Sequence, residues 1–233
     1  DLLTSIPICV SGCFCIFMNF NYGAMFRFLE SFFKLNSTLL DEKDGMKKFL
    51  VVGLGNIGEE YAETRHNIGF KILDSLSTVE AFTFETAKLG DVGTFKVKGR
   101  SIICLKPSTY MNRSGKAVKY WMEKENIPLE NVLIITDDIN LSFGTIRLKT
   151  KGSDGGHNGL KDVQQYLLTT NYNRLRFGVG SDFGKGKQID YVLGEWNQEE
   201  KDALGERYER VNALIRSFVL SGVNRTMNEY NGT

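Results

Sequence analysis

The chain has 233 residues, 42% of them hydrophobic, with 29 basic against 28 acidic side chains and a formal net charge of +1. That length supports one core, or one core with an appendage. The even balance excludes a whole-molecule field aimed at a polyanion, so any nucleic-acid contact has to come from local basic clusters.

Residues 1–45 differ in kind from the rest of the chain. "IPICVSGCFCIFMNF" is apolar, "MFRFLESFFKLN" is aromatic, and "DEKDG" is a short charged linker. The apolar stretch is short for a membrane span and lacks the basic region of a signal peptide, and Arg27 is the only arginine where a transit peptide would have several. Met46 is read as the natural start, residues 1–45 as an extension outside the fold, and no membrane association is expected. Three of the four cysteines crowd into this leader and only Cys104 lies in the body. That spacing does not staple a secreted fold, which points to a reduced, cytoplasmic protein with Cys104 as a buried filler.

From Lys48 the order is strand "FLVVGL", a glycine turn, and a helix through "TRHNIGFKILDSLS", where Ile68, Ile72, Leu73 and Leu76 recur at helical spacing. Residues 82–107 alternate with glycine breaks, predicting two or three strands joined by hairpins. A helix over 114–126 comes next, then the buried strand "NVLIITDD", a strand in "GTIRLKTKG", a helix in "HNGLKDVQQYLL", the strand "NRLRFGVG", and a final amphipathic helix from Asn197 to Leu220. Strands separated by helices and hairpins predict a single α/β domain with a mixed, twisted central sheet flanked by helices on both faces.

The first strand runs into Gly53-Leu54-Gly55-Asn56-Ile57-Gly58, a literal dinucleotide fingerprint. Glu59 and Glu60 come directly after it, where carboxylates would repel a pyrophosphate, and no second parallel strand carries the ribose-binding acid. The glycines are therefore read as a tight turn that exposes Asn56 at a strand's carboxyl end, and no cofactor is expected.

Only two histidines occur, His66 and His157, each followed by asparagine. With an unperturbed pKa of about 6.5, histidine exchanges protons near neutrality. Hydrolysis by water needs a base, a partner that orients it, and donors for the oxyanion. His66 can be the base and Asp137 or Asp138 its partner, while Asn56, Asn112 and Asn158 carry amides able to hold water or substrate. No G-x-S-x-G elbow supports a serine nucleophile, and neither histidine has the close-spaced partner of a zinc motif, so no metal is expected.

The blocks "VVGLGNIGEEYAETRHNIGF", "KPSTYMNRSGKAV", "TDDINLSFGTIRLKTKGSDGGHNGLKDV" and "RLRFGVG" with "YVLGEW" resemble the bacterial-type peptidyl-tRNA hydrolases in order and spacing. The resemblance makes residues 46–233 the catalytic domain. It implies a monomeric, metal-independent hydrolase that cleaves the ester between a peptide and the 3′ ribose of tRNA. It makes His66 the general base, Asp137 its partner, and Asn56 and Asn112 the groups that position substrate and water. Met111 would pack against the bound chain, Tyr61 would flank the site, Tyr110 would join the substrate-binding residues, and His157 with Asn158 would shape the binding rim. Arg147, Lys149, Lys151, Arg174 and Arg176 are local basic groups of the kind that neutralise phosphates, and the resemblance assigns Lys149 and Arg176 to the tRNA 5′ phosphate. Ile57 and Ser142 depart from prolines common in the family.

Overall fold

Alternation along the strands sorts their apolar side chains into two layers. In a computed structural model, which describes residues 47–231, strand β1 (Lys48–Gly53) sends Phe49 and Val51 into one buried layer and Leu50 and Val52 into the other. β4 (Arg100–Pro107) and β5 (Val132–Asp138) divide the same way, Ile102, Cys104, Leu133 and Ile135 against Ile103, Leu105, Val132 and Ile134. A strand apolar on both faces has to lie inside a sheet covered twice, and each fully buried Leu or Ile stabilises by roughly 1.5–3 kcal/mol.

With β2 (Glu85–Ala87), β3 (Gly90–Val97), β6 (Ile146–Lys149) and β7 (Asn173–Gly178), these strands form one seven-stranded sheet in the order β2-β3-β4-β1-β5-β7-β6. β4, β1, β5 and β7 run parallel, while β2, β3 and β6 are antiparallel to their neighbours. The sheet is mixed, as the sequence predicts, and three strands arise from residues 82–107. Helices α1 (Ile68–Val79) and α5 (Gln198–Ser221) supply the first layer, while α2 (Ser114–Lys124) and α3 (Asn158–Leu167) supply the second. Two further helices, α4 (Gln188–Val192) and α6 (Val223–Tyr230), are not expected from the sequence. α4 has five residues, none of them buried, so no apolar period announces it. α6 is set off from α5 by Gly222 at φ 83°.

The glycine fingerprint serves packing. A Cβ on Gly53 would stand 2.2 Å from the carbonyl oxygen of Gly69, and one on Gly69 would stand 2.4 Å from that of Leu54. The two glycines let the end of β1 touch the start of α1, a contact no side chain permits. Gly58 leads into a single 3-10 turn, Glu59–Tyr61, and the first α-helix begins only at Ile68, so no helix N-terminus meets the loop as a pyrophosphate site requires.

Cys104 is a free thiol, fully buried in the first layer, and burial pushes it far above its ordinary range, with Glu80 adding to the shift. No helix among the described residues is long and apolar enough to cross a membrane. The expectations for residues 1–45 lie outside the described residues.

Candidate active site

Parallel strands bring their carboxyl ends, and the loops beyond them, to one edge of the sheet, where α/β folds gather their chemistry. His66 stands in a 3-10 turn, Arg65–Asn67, just ahead of α1; the sequence predicts helix from Thr64. The difference has local causes. Thr64 bridges to Glu195, the Arg65 amide donates to the Gly194 carbonyl, and the Asn67 side chain is drawn toward Asn56. The turn aims the imidazole across the end of β5.

There the pleat separates the two aspartates. Asp137 lies on the α1 side and meets His66, with Nδ1 at 2.9 and 3.0 Å from its two carboxylate oxygens. Asp138 points to the other side and pairs with Arg176. Strand alternation thus brings Asp137, and not Asp138, within hydrogen-bond reach of His66.

Asp137 also serves the second histidine. His157 caps α3, its Nδ1 accepting from the Gly159 and Leu160 amides at 3.1 and 3.2 Å. An accepting Nδ1 puts the ring proton on Nε2, which lies 2.8 Å from Asp137 Oδ1 and 2.7 Å from Thr136 Oγ1. Burial alone would raise the Asp137 carboxyl, but the charge of the His66 imidazole and hydrogen bonds from both imidazoles hold it well below the usual carboxylate range. For His66 burial works against the charged ring, and the Asp137 charge and hydrogen bond overcome it, so its pKa lies above the ordinary 6.5.

Asn56, expected from the sequence to be exposed at the end of β1, is instead buried and fixed at both ends, because its backbone and side chain are taken up by Asn67 and Met111. Its backbone N–H donates to Asn67 Oδ1 at 2.7 Å, its carbonyl accepts from Asn67 Nδ2 at 2.9 Å, and its side-chain Oδ1 accepts from the Met111 amide at 2.8 Å. The remaining Nδ2 is a donor beside the cavity. Asn67 is thus a structural partner that sequence reasoning missed, although the repeated His-Asn pair marks it.

These groups line one cavity of about 490 Å³, which brings together Asn56, His66, Met111, Asn112, Asp137, His157 and Asn158 with Lys149 and Arg176. Tyr61 and Tyr110 do not line it. Tyr61 is half-buried in its 3-10 turn, and Tyr110 is exposed ahead of the turn Met111–Arg113. The β6–β7 register sets Arg147 opposite Arg176 and Lys149 opposite Arg174. Arg174 is not a free phosphate ligand. It is buried, its guanidinium donates to the carbonyls of Ser153 and Thr170 at 2.9 and 2.8 Å, and it lies over the Tyr172 ring. Of the family departures, Ile57 is exposed, and Ser142 accepts from the Thr145 amide in a turn whose Phe143 packs on Phe177 and Trp196.

The potential ligand atoms of His66, Asp137 and His157 lie within 4.8 Å of one another. A metal on His157 Nε2 would drive the ring proton to Nδ1, against the two amides it caps, so the cap opposes ligation by this ring.

A family model described as peptidyl-tRNA hydrolase matches residues 50–233. The peptidyl-tRNA hydrolase of Bacteroides fragilis is 58% identical over 184 residues, 79% of this chain and 98% of that protein. That of Clostridium botulinum is 40% identical over 185 residues, covering 79% and 96%. Among solved structures, the crystal structure of peptidyl-tRNA hydrolase from Acinetobacter baumannii superposes with a TM-score of 0.75 at 35% identity, covering 80% of this chain and 96% of that one. Family model, relatives and fold coincide over the part of the chain that builds the cavity, and the chain belongs to the peptidyl-tRNA hydrolase family.

Proposed function

We propose that this chain hydrolyses the ester joining a peptide to the 3′ ribose of tRNA, with His66 as general base. The observation that carries the reading is the His66–Asp137 pair at 2.9 Å inside a cavity that also holds Asn56 and Asn112. Nδ1–H donates to Asp137, so the lone pair on Nε2 is available to take a proton from water. The hydroxide so formed attacks the ester carbonyl. The amides of Asn56 and Asn112 are the donors suited to the oxyanion. Collapse of the tetrahedral intermediate breaks the bond to the ribose 3′ oxygen, which receives the proton from Nε2, and Asp137 stabilises the imidazolium in between.

Lys149 and Arg176 stand on the same cavity, and we assign them to the 5′ phosphate of the tRNA. Met111, His157 and Asn158 form the rim beside the scissile bond, with Tyr61 and Tyr110 outside it. In this reading the chain acts as a monomer in the cytoplasm, without a metal or cofactor. The test is release of free tRNA from N-blocked aminoacyl-tRNA. His66→Ala is expected to lower kcat/KM by on the order of 10²–10⁴. Absence of cleavage by the wild type, or cleavage undiminished in the variant, would overturn the mechanism.

A further inference from the structure

Arg65 precedes the proposed base in the chain, is buried, and does not line the cavity. Its Nη1 donates to the Glu195 carbonyl at 2.6 Å, its Nη2 pairs with Glu200 Oε2 at 2.7 Å, and its guanidinium lies 4.5 Å from the Tyr191 ring centre and 5.4 Å from that of Trp196. Its backbone amide donates to the Gly194 carbonyl. Glu200 simultaneously closes the capping box of α5 with Asn197, and the Tyr191 hydroxyl donates to Val179 at the exit of β7. One side chain thus joins the His66 turn, the segment containing α4, and the start of α5.

That segment is a wall of the cavity. Gln188, Ile189, Val192 and Leu193 line it, and Ile189 is 69% exposed. No residue of α4 is fully buried, so its place depends on few contacts, chiefly Tyr191, which packs against the core and bonds Val179, and Arg65, which lies over that ring. The base is held differently. Asp137 fixes the His66 ring and Asn67 clasps the Asn56 backbone, neither of them through Arg65.

We infer that Arg65 is a positioning residue that fastens the α4 wall to the catalytic turn and so sets how tightly the cavity holds its substrate. The inference rests on the hydrolase reading and deepens it. Loss of Arg65 loosens the wall and leaves the base aligned, so it removes binding common to ground state and transition state.

The test compares wild type, Arg65→Met, Arg65→Lys and the double variant Arg65→Met with Glu200→Gln, all in the full chain, on N-blocked aminoacyl-tRNA. Arg65→Met is expected to raise KM by about 10-fold with kcat within about twofold and the acid limb of the pH profile unmoved. Arg65→Lys falls between, because an ammonium cannot reproduce the guanidinium fork. Hydrogen exchange in Arg65→Met should quicken at residues 188–196 and stay unchanged in β5. Glu200→Gln removes the carboxylate left without its partner and keeps the capping box, so the double variant should regain melting temperature without regaining KM. An unchanged KM, a shifted pH limb, or KM restored together with melting temperature would overturn the inference. A wild type that fails to cleave sinks the hydrolase reading alone, because the exchange measurement still reports on the anchor.

Discussion

Asp137 receives hydrogen bonds from two imidazoles whose tasks are unequal. His157 uses both ring nitrogens, one on the amides of α3 and one on Asp137 and Thr136. Among the described residues His66 uses only Nδ1. Of the two rings, His66 alone has a nitrogen left for a proton in transit. A base must be unprotonated to act, and the Asp137 charge and hydrogen bond lift His66 above 6.5 despite burial. Activity should therefore rise with pH along a limb centred above that value and fall on its acid side. Asp137→Asn removes the charge that raises the ring, burial then dominates, and the limb moves toward lower pH. Turnover should fall by on the order of 10²–10⁴ as well, because the imidazolium loses its counter-charge. A pH series of kcat/KM for the two proteins decides it; a limb that stays in place would refute the assigned partnership.

Elements account for what the sequence could and could not disclose. The buried strands were legible because alternation in "FLVV", "IICL" and "VLII" records two covered faces, and the same period separates Asp137 from Asp138 once the strand is drawn. The choice between those aspartates needed the pleat's direction, which depends on the helix packed against each face. The turn carrying His66 was hidden for a similar reason. Its form is imposed by Glu195 and Asn56, outside the turn itself, and "TRHN" has no local cue against helix. His157 as helix cap, and Asn67 and Arg65 as fasteners, are likewise visible only once the partners of each side chain are in place. The glycines illustrate the opposite case, a strong motif with another cause. If Gly53 and Gly69 exist to let β1 meet α1, Gly69→Ala places a Cβ 2.4 Å from a backbone oxygen, and the two elements have to part. The expected cost is about 1–3 kcal/mol, read as a melting temperature lower by roughly 2–4 °C per kcal/mol. An unaltered melting curve would mean the contact is not as close as described.

The whole molecule sets the character of substrate binding. A net charge of +1 gives no long-range pull on a polyanion, so attraction must come from the cavity's basic side, where Lys149, Lys151 and Arg176 line the wall. Arg174 sits beside them but spends its guanidinium on the carbonyls of Ser153 and Thr170, and Asp138 takes the Nε of Arg176 and leaves that side chain's terminal fork. Lys149 and that fork are the groups we assign to the 5′ phosphate on this wall. Each phosphate neutralised releases condensed counterions, so tRNA affinity should fall with salt, at a slope that counts the contacts made. Lys149→Ala and Arg176→Ala should each weaken binding at low salt and reduce that slope by about one. Arg147→Ala serves as the control, since Arg147 lies opposite Arg176 in the sheet but does not line the cavity, and its slope should match the wild type. Removing the 5′ phosphate from the tRNA should weaken binding to the wild type and cost nothing further in the double variant Lys149→Ala with Arg176→Ala, where both assigned groups are gone. An additional loss in that double variant would place the phosphate on some other part of the surface.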